Sequence, residues 1–356
     1  MTAIDHPETM ETLPSNLDMV WQWAYEIDIE KLRRLYDMAK REQWNADQQL
    51  DWSREIDPSA DILDPERMAV KTTKFWTTLS KSQQEAFGAH NAAYMLSQFL
   101  HGEQGAMMVA ASLVDGVPDY EAKLYAATQT MDEARHVEVF ERYIKKLDKI
   151  YPIDGFLKGL LDATLAHKRW ECRCVGMNMI VEGLALGTFV NMREATTEPL
   201  FKDLLTYVIK DEARHVAYGN VYLSEVIQDM HKDDLAEVED FAFEALSMMR
   251  KARIGGGGSG DTHVYNNVLM DAGVDPKDFM NAMMKEYMEG WRPKAMPGQV
   301  HTFKDLMMPA LARVGLVESE RIRKRYKDAN VNMFDDVSIL KGMEVDLENL
   351  EHSLTH

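Results

Sequence analysis

Cysteine is nearly absent from this chain: the only two, Cys172 and Cys174, stand two residues apart. On a helix that spacing turns the side chains away from each other, so neither a disulfide nor a sulfur metal clip is expected, and there is no cysteine cluster for an iron-sulfur centre. A Gly-rich dinucleotide fingerprint is also missing, which removes a flavin or nicotinamide bound by that motif. Positive charge is in short supply: 40 Lys and Arg face 59 Asp and Glu, a formal net charge of -19. So acidic a chain is a poor counterion-releasing binder of nucleic acid and is repelled by an anionic membrane. No apolar run is read as approaching the roughly 20 residues that cross a bilayer. The start Met1-Thr2-Ala3-Ile4-Asp5-His6-Pro7 lacks the basic and apolar regions of a secretory signal. A cytoplasmic protein with neither nucleic-acid nor membrane partners is the expectation.

What is plentiful is helical patterning. With 356 residues, 46% of them hydrophobic, the chain can bury a large core. Apolar positions recur at helical spacing and strand-like alternation is scarce, so the expected fold class is all-α. Core helices are expected at about 84 to 114, 119 to 149, 168 to 193 and 198 to 230, with a crossover helix at 155 to 167. Residues 1-80, with Trp21, Trp23, Trp44, Trp52 and Trp76, are expected as helices packed on a bundle at 81-231, and 232-356 as C-terminal helices, all in one compact domain. Those C-terminal helices are placed near 232 to 253, 276 to 289 and 302 to 327. The string Gly255-Gly256-Gly257-Gly258-Ser259-Gly260 reads as a hinge, a cover or a plain linker.

The string Asp-Glu-Ala-Arg-His occurs twice, at Asp132 to His136 and Asp211 to His215. Glu103 and Glu182 each stand 30 residues upstream of a motif glutamate. Within each copy, Glu-x-x-His sets a carboxylate and an imidazole one turn apart on a single face, where both can reach one ion. Halfway between Glu103 and Glu133 lies the turn string Asp115-Gly116-Val117-Pro118-Asp119, and halfway between Glu182 and Glu212 lies Thr196-Thr197-Glu198-Pro199. Two helical hairpins folded there would each bring their glutamates level. All three spacings between the halves equal 79 residues, as a duplicated hairpin requires. A solvated face with intrahelical charge pairs is the bland alternative, and duplication with matched upstream glutamates argues against it.

Four carboxylates and two imidazoles so arranged are the ligand set of the ferritin-like carboxylate bundles. Over about residues 84 to 230 the chain resembles the ferritin-like di-iron carboxylate oxidases and oxygenases. These include multicomponent monooxygenase hydroxylases, acyl-carrier-protein desaturases, arylamine N-oxygenases and ribonucleotide reductase small subunits. The resemblance implies a ferritin-like four-helix bundle with additional terminal helices and a pair of iron ions, manganese or a mixed manganese-iron pair also suiting the donors. It implies Glu103, Glu133, His136, Glu182, Glu212 and His215 as ligands, with Glu133 and Glu212 bridging. It further pairs Asp132 with His215 and Asp211 with His136 across the bundle, with Arg135 and Arg214 buttressing the aspartates.

Departures narrow the choice. Phe140 stands where radical-generating reductase subunits place a tyrosine, so no stored radical is expected there. Val208 stands where arylamine N-oxygenases carry a third histidine, which counts against that family. Ala185 and Leu186 stand where desaturases and hydroxylases carry a threonine, Thr188 lying off that face. One turn from the ligands are Met107, Gln129, Thr130, Phe140, Asn178, Ala185, Leu186 and Phe189. Gly183, Ala185 and Gly187 leave room either for a substrate or for close helix packing.

A dioxygen-activating di-iron oxygenase, hydroxylating or otherwise oxidising a small apolar molecule, is the expected function. Its electrons would come from an external donor such as a ferredoxin or reductase. The run Glu320 to Lys327 is either that donor's docking patch or an ordinary solvated face. A metal-storage or radical-cofactor protein with no organic substrate of its own is the alternative. A homodimer is compatible with either.

Overall fold

The structure, a computed structural model, describes residues 11-57, 60-64, 68-254, 263-292 and 298-329. Helix α1 (Glu30–Arg41) precedes the long helix α2 (Lys81–Gly116) and its antiparallel partner α3 (Tyr120–Leu147). The crossover α4 (Gly155–Ala166) leads to α5 (Trp170–Ala195) and α6 (Pro199–Ile227), the second hairpin. Then follow α7 (Lys232–Ile254), α8 (His263–Asp271) and α9 (Pro276–Met288). A π-turn Thr302–Met307 running into the helix Met308–Arg313 makes α10, and α11 is Glu320–Asp328.

Local chemistry sets the ends of the bundle helices. Ser80 and Gln83 form a reciprocal capping box that starts α2. Asp154 caps α4 by accepting from the Leu157 N–H at 2.8 Å. Pro199 occupies the first turn of α6, and Glu198 accepts from the Leu200 and Phe201 N–H groups. These stops level the ligands. Glu103 lies 13 residues before the end of α2 and Glu133 lies 13 after the start of α3; Glu182 and Glu212 repeat that spacing in α5 and α6. At 1.5 Å per residue, all four sit about 20 Å from their turns.

Two apolar clusters enclose that level. One, towards the α2-α3 turn, contains Leu113, Val117, Tyr125, Tyr218 and Val221; the other, towards the opposite end, contains Leu96, Leu100, Phe140, Phe189 and Val208. The charged residues between them are therefore shut off from water, which demands partners for every one.

The four bundle helices and the crossover lie within a few residues of their expected places. Four other expectations need correcting. The N-terminal region carries α1, which packs on α3 and α6, but otherwise runs through single turns and irregular backbone, with Trp21 and Trp23 exposed and stacked on each other. The expected helix at 302 to 327 is divided: Gly315, at φ 87°, reverses the chain and Ser319 caps α11 afresh. Helix α8 has no counterpart in the expected set. Among the described residues one helix, Trp170–Ala195, does meet the length and hydropathy of a membrane span, contrary to the sequence expectation. It is mostly buried and carries Glu182 into the bundle, so its apolarity belongs to the core. The glycine string at 255-260 lies outside the described residues.

Candidate metal centre

All six expected ligands converge, each between 0% and 4% exposed. His136 Nδ1 is 3.2 Å from Glu103 Oε2, 3.2 Å from Glu133 Oε2 and 3.2 Å from Glu212 Oε1. His215 Nδ1 is 3.0 Å from Glu133 Oε1, 3.7 Å from Glu212 Oε2 and 3.8 Å from Glu182 Oε2. Glu133 and Glu212 thus turn one oxygen to each histidine, while Glu103 serves one side and Glu182 the other. That is the geometry two adjacent cations require, with two shared and two unshared carboxylates.

Whether the residues fit cations is answered by what they lack. Glu133 Oε2, both oxygens of Glu212 and His215 Nδ1 are buried without a hydrogen-bond partner. One imidazole N–H can satisfy only one of the three oxygens 3.2 Å from His136. Four carboxylates facing two neutral imidazoles carry four negative charges, which two divalent cations neutralise. Hard oxygen and imidazole donors suit iron or manganese.

The electrostatics carry the same demand for positive charge. Burial, aided by neighbouring carboxylates, pushes Glu103 and Glu182 well above the usual carboxylate range. Burial acts upward on Glu133 too, but His215 and His136 outweigh it and hold that group well below its usual range. Both histidines are driven up by the surrounding carboxylates against the opposing effect of burial. In metal-free protein the imidazoles supply the positive charge that the carboxylates call for.

The outer residues also stand where expected. Asp211 Oδ2 is 3.0 Å from His136 Nε2, and Asp132 Oδ2 is 3.4 Å from His215 Nε2. Each imidazole therefore has Nε2 held as donor and Nδ1 turned to the centre. Arg135 pairs with Asp132 and reaches Asp211 at 3.2 Å; Arg214 pairs with Asp211 and reaches Asp132 at 3.6 Å. Burial would raise Asp211, but His136, Arg214 and Arg135 lower it, so it stays an anion. Two aspartates and two arginines leave this outer layer neutral.

Sequence reasoning missed two members of that layer, both just past α1. Trp44 Nε1 donates to Asp211 Oδ2 at 2.7 Å, and Gln43 Nε2 donates to Asp132 Oδ1 at 2.8 Å. Arg135 lies over the Trp44 ring, 4.8 Å from its centroid. The concentration of tryptophan in this region was a signal, but nothing local ties residue 44 to residue 211. Gln129 and Asn178, each one turn from a ligand in the sequence, lie at the site: Gln129 Nε2 donates to Glu133 Oε1 at 3.0 Å and Glu182 Oε1 at 3.2 Å, and Asn178 Nδ2 donates to Gln129 Oε1 at 2.9 Å. Asn178 sits in a π-turn, Val175–Val181, directly before Glu182.

Other candidates fall to packing. A Cβ on Gly187 would stand 2.6 Å from Thr302 Cγ2, and one on Gly183 would stand 3.3 Å from Met307 Cγ, so both glycines admit α10 rather than leave a cavity. Arg321 of the basic run bonds Glu239 and Asp240, Arg325 bonds Asp240 and Glu244, and Ile322 and Tyr326 are buried. That helix is fastened to α7, which weakens its case as a docking patch. Cys172 and Cys174 are free and buried.

The family model described as P-aminobenzoate N-oxygenase AurF matches residues 28–256. The matched span holds all six ligands, the outer aspartates and arginines, and Gln43 and Trp44. A valine at 208 in place of a histidine counts against arylamine N-oxygenases by sequence, and the match corrects that expectation: the position is filled by a fully buried valine of the apolar cluster. No curated protein matches the chain. Similar solved structures include an R2-like ligand-binding oxidase with aerobically reconstituted Mn/Fe cofactor, at 17% identity and a TM-score of 0.45 over 74% of this chain and 92% of that one. An R2-like ligand-binding oxidase with aerobically reconstituted metal cofactor after photoconversion is similar at 18% identity and a TM-score of 0.44, over 74% of this chain and 87% of that one.

Proposed function

Because the chain belongs to the P-aminobenzoate N-oxygenase AurF family, we propose that it activates dioxygen at a pair of metal ions held by Glu103, Glu133, His136, Glu182, Glu212 and His215, and oxidises the nitrogen of a small aromatic amine. The observation that carries the metal assignment is the set of buried, unpartnered acceptors on Glu133, Glu212 and His215, which a pair of cations between them would satisfy. The family description carries the choice of an amine over a carbon centre.

Bound metal would supply the electrons and Lewis acidity for reductive dioxygen cleavage. The chain does the rest. Asp211 and Asp132 hold the Nε2 protons of His136 and His215, keeping each Nδ1 lone pair on the centre. Arg135 pairs with Asp132 and Arg214 with Asp211, which holds both carboxylates in place beneath the imidazoles. Phe99, Phe140 and Phe189 pack on one another, and with Val208 in the same buried apolar cluster they would exclude water from that side of the centre. In N-oxygenation one oxygen atom goes to the amine nitrogen and the other leaves as water, which needs two electrons and two protons from an external donor such as a ferredoxin or reductase.

The test is dioxygen uptake by reduced, metal-loaded protein with p-aminobenzoate and other small aromatic amines. Amine-dependent uptake, with one atom of labelled oxygen in the product, is expected. Uptake that tracks only added ferrous iron, unchanged by any amine, would favour the metal-storage alternative.

A further inference from the structure

The 79-residue offset gives each residue beside one half of the centre a counterpart beside the other, and three counterparts differ sharply. Gln129, four residues before Glu133, answers to Val208, four before Glu212; Asn178, four before Glu182, answers to Phe99, four before Glu103; Gly219, four after His215, answers to Phe140, four after His136.

Beside Glu182 and His215 all three choices serve one polar arrangement. Gln129 Nε2 donates to Glu133 Oε1 and Glu182 Oε1, and Asn178 Nδ2 fixes the Gln129 carbonyl and also lies 3.3 Å from the His215 carbonyl oxygen. Gly219 makes room: a Cβ there would stand 2.7 Å from Asn178 Cβ and push the amide out. The π-turn at Val175–Val181 places Asn178 in this arrangement, and Asn178 and Gln129 are fully buried.

Beside Glu103 and His136 the same three positions are apolar. Phe99 and Phe140 pack with Phe189, ring centroids 4.8 to 6.3 Å apart, and Val208 is fully buried in the same apolar cluster. Among the described residues, Glu103 meets no amide or hydroxyl; its hydrogen-bonding contact is His136 Nδ1. One half of the centre is clamped before any ion arrives, and the other must order its unshared carboxylate on binding. A prepaid ordering cost holds a ligand more tightly.

We infer that Gln129 and Asn178 are positioning residues that make the two metal positions unequal. They clamp the Glu182-His215 position so that it retains its ion, and leave the Glu103-His136 position, on the phenylalanine side, as the exchangeable one facing an apolar substrate. This rests on the two-metal assignment above.

The experiment loads the full chain anaerobically with ferrous iron, counts the ions, then follows their release to a colorimetric ferrous chelator. Wild type is expected to bind two ions and release them in two phases of equal amplitude. Glu103→Gln should remove the fast phase and Glu182→Gln the slow one. Gln129→Leu should accelerate only the slow phase, by about 10- to 100-fold, the usual cost of losing an outer partner of a ligand, and should lower the melting temperature of the metal-free protein as well, because the buried Asn178 amide loses its acceptor. Should Gln129→Leu not fold, Asn178→Asp keeps the shape but removes the donor to Gln129, and the same acceleration is expected. Fewer than two ions in wild type would overturn the two-metal assignment itself. Two ions leaving in one phase, or a slow phase indifferent to both variants, would overturn the clamp while leaving that assignment standing.

Discussion

Asp211 stands 3.0 Å from Nε2 of His136, a residue on another helix and 75 positions away, while its own motif partner His215 is served by Asp132 from the first motif. The two motifs therefore complete each other, and neither is a working half alone. Asp211→Ala should leave the fold intact, since Arg135 and Arg214 can both still pair with Asp132, yet weaken metal binding about 10- to 100-fold. Chelator competition on the variant checks this. An unchanged affinity would show that the imidazole needs no such support.

Metal uptake should expel protons. Burial raises Glu103 and Glu182, and the carboxylates raise His136 and His215, so in metal-free protein these groups hold protons at a higher pH than they would in the unfolded chain. Binding requires them deprotonated, so lowering pH restores the competing protons and affinity must fall. The same shifts mean that the metal-free fold binds more protons through these four groups than the unfolded chain, so their contribution to its stability declines as pH rises. Calorimetric titration in buffers of different ionisation enthalpy should detect proton release on metal binding. Binding heats independent of the buffer would refute it.

Gly187→Ala tests the packing of α10 on α5. The added Cβ meets Thr302 Cγ2 at 2.6 Å and Leu306 Cδ1 at 3.0 Å. Overpacking costs about 1 to 3 kcal/mol, against a helix-propensity gain of up to about 1 kcal/mol. A net loss of about 1 kcal/mol, seen as a lower Tm, is expected; a higher Tm would mean that α10 yields freely.

No long-lived tyrosyl radical should follow exposure of the reduced, metal-loaded protein to dioxygen. Phe140 is fully buried at the position where a phenol would sit, and the Tyr125 hydroxyl is buried with no acceptor for its proton. Electron paramagnetic resonance after rapid freezing checks this. A stable tyrosyl signal near stoichiometric with the metal pair would promote the radical-cofactor alternative.

The convergence of the six candidate ligands was legible because each is tied to a fixed helical spacing and to turns whose residues announce themselves, as at Gly116 and Pro199, whereas the cross-pairing of Asp132, Arg135, Asp211 and Arg214 came only with the resemblance to the di-iron carboxylate bundles. Trp44 and Gln43 were not, because their partners lie 167 and 89 residues away and no periodicity links them. The π-turn before Glu182 was hidden for another reason: Val175 to Val181 reads as ordinary buried helix, and only the packing of Asn178 beside Gly219 and Gln129 distinguishes it. Val208 misled because a missing histidine was read as a missing family, while the family match spans that position.

Elemental analysis of the purified chain tests the central claim most directly. About two iron or manganese ions per chain are expected in the wild type, with at least one lost in Glu133→Ala and in His215→Ala. A full complement of metal in both variants would contradict the centre described above.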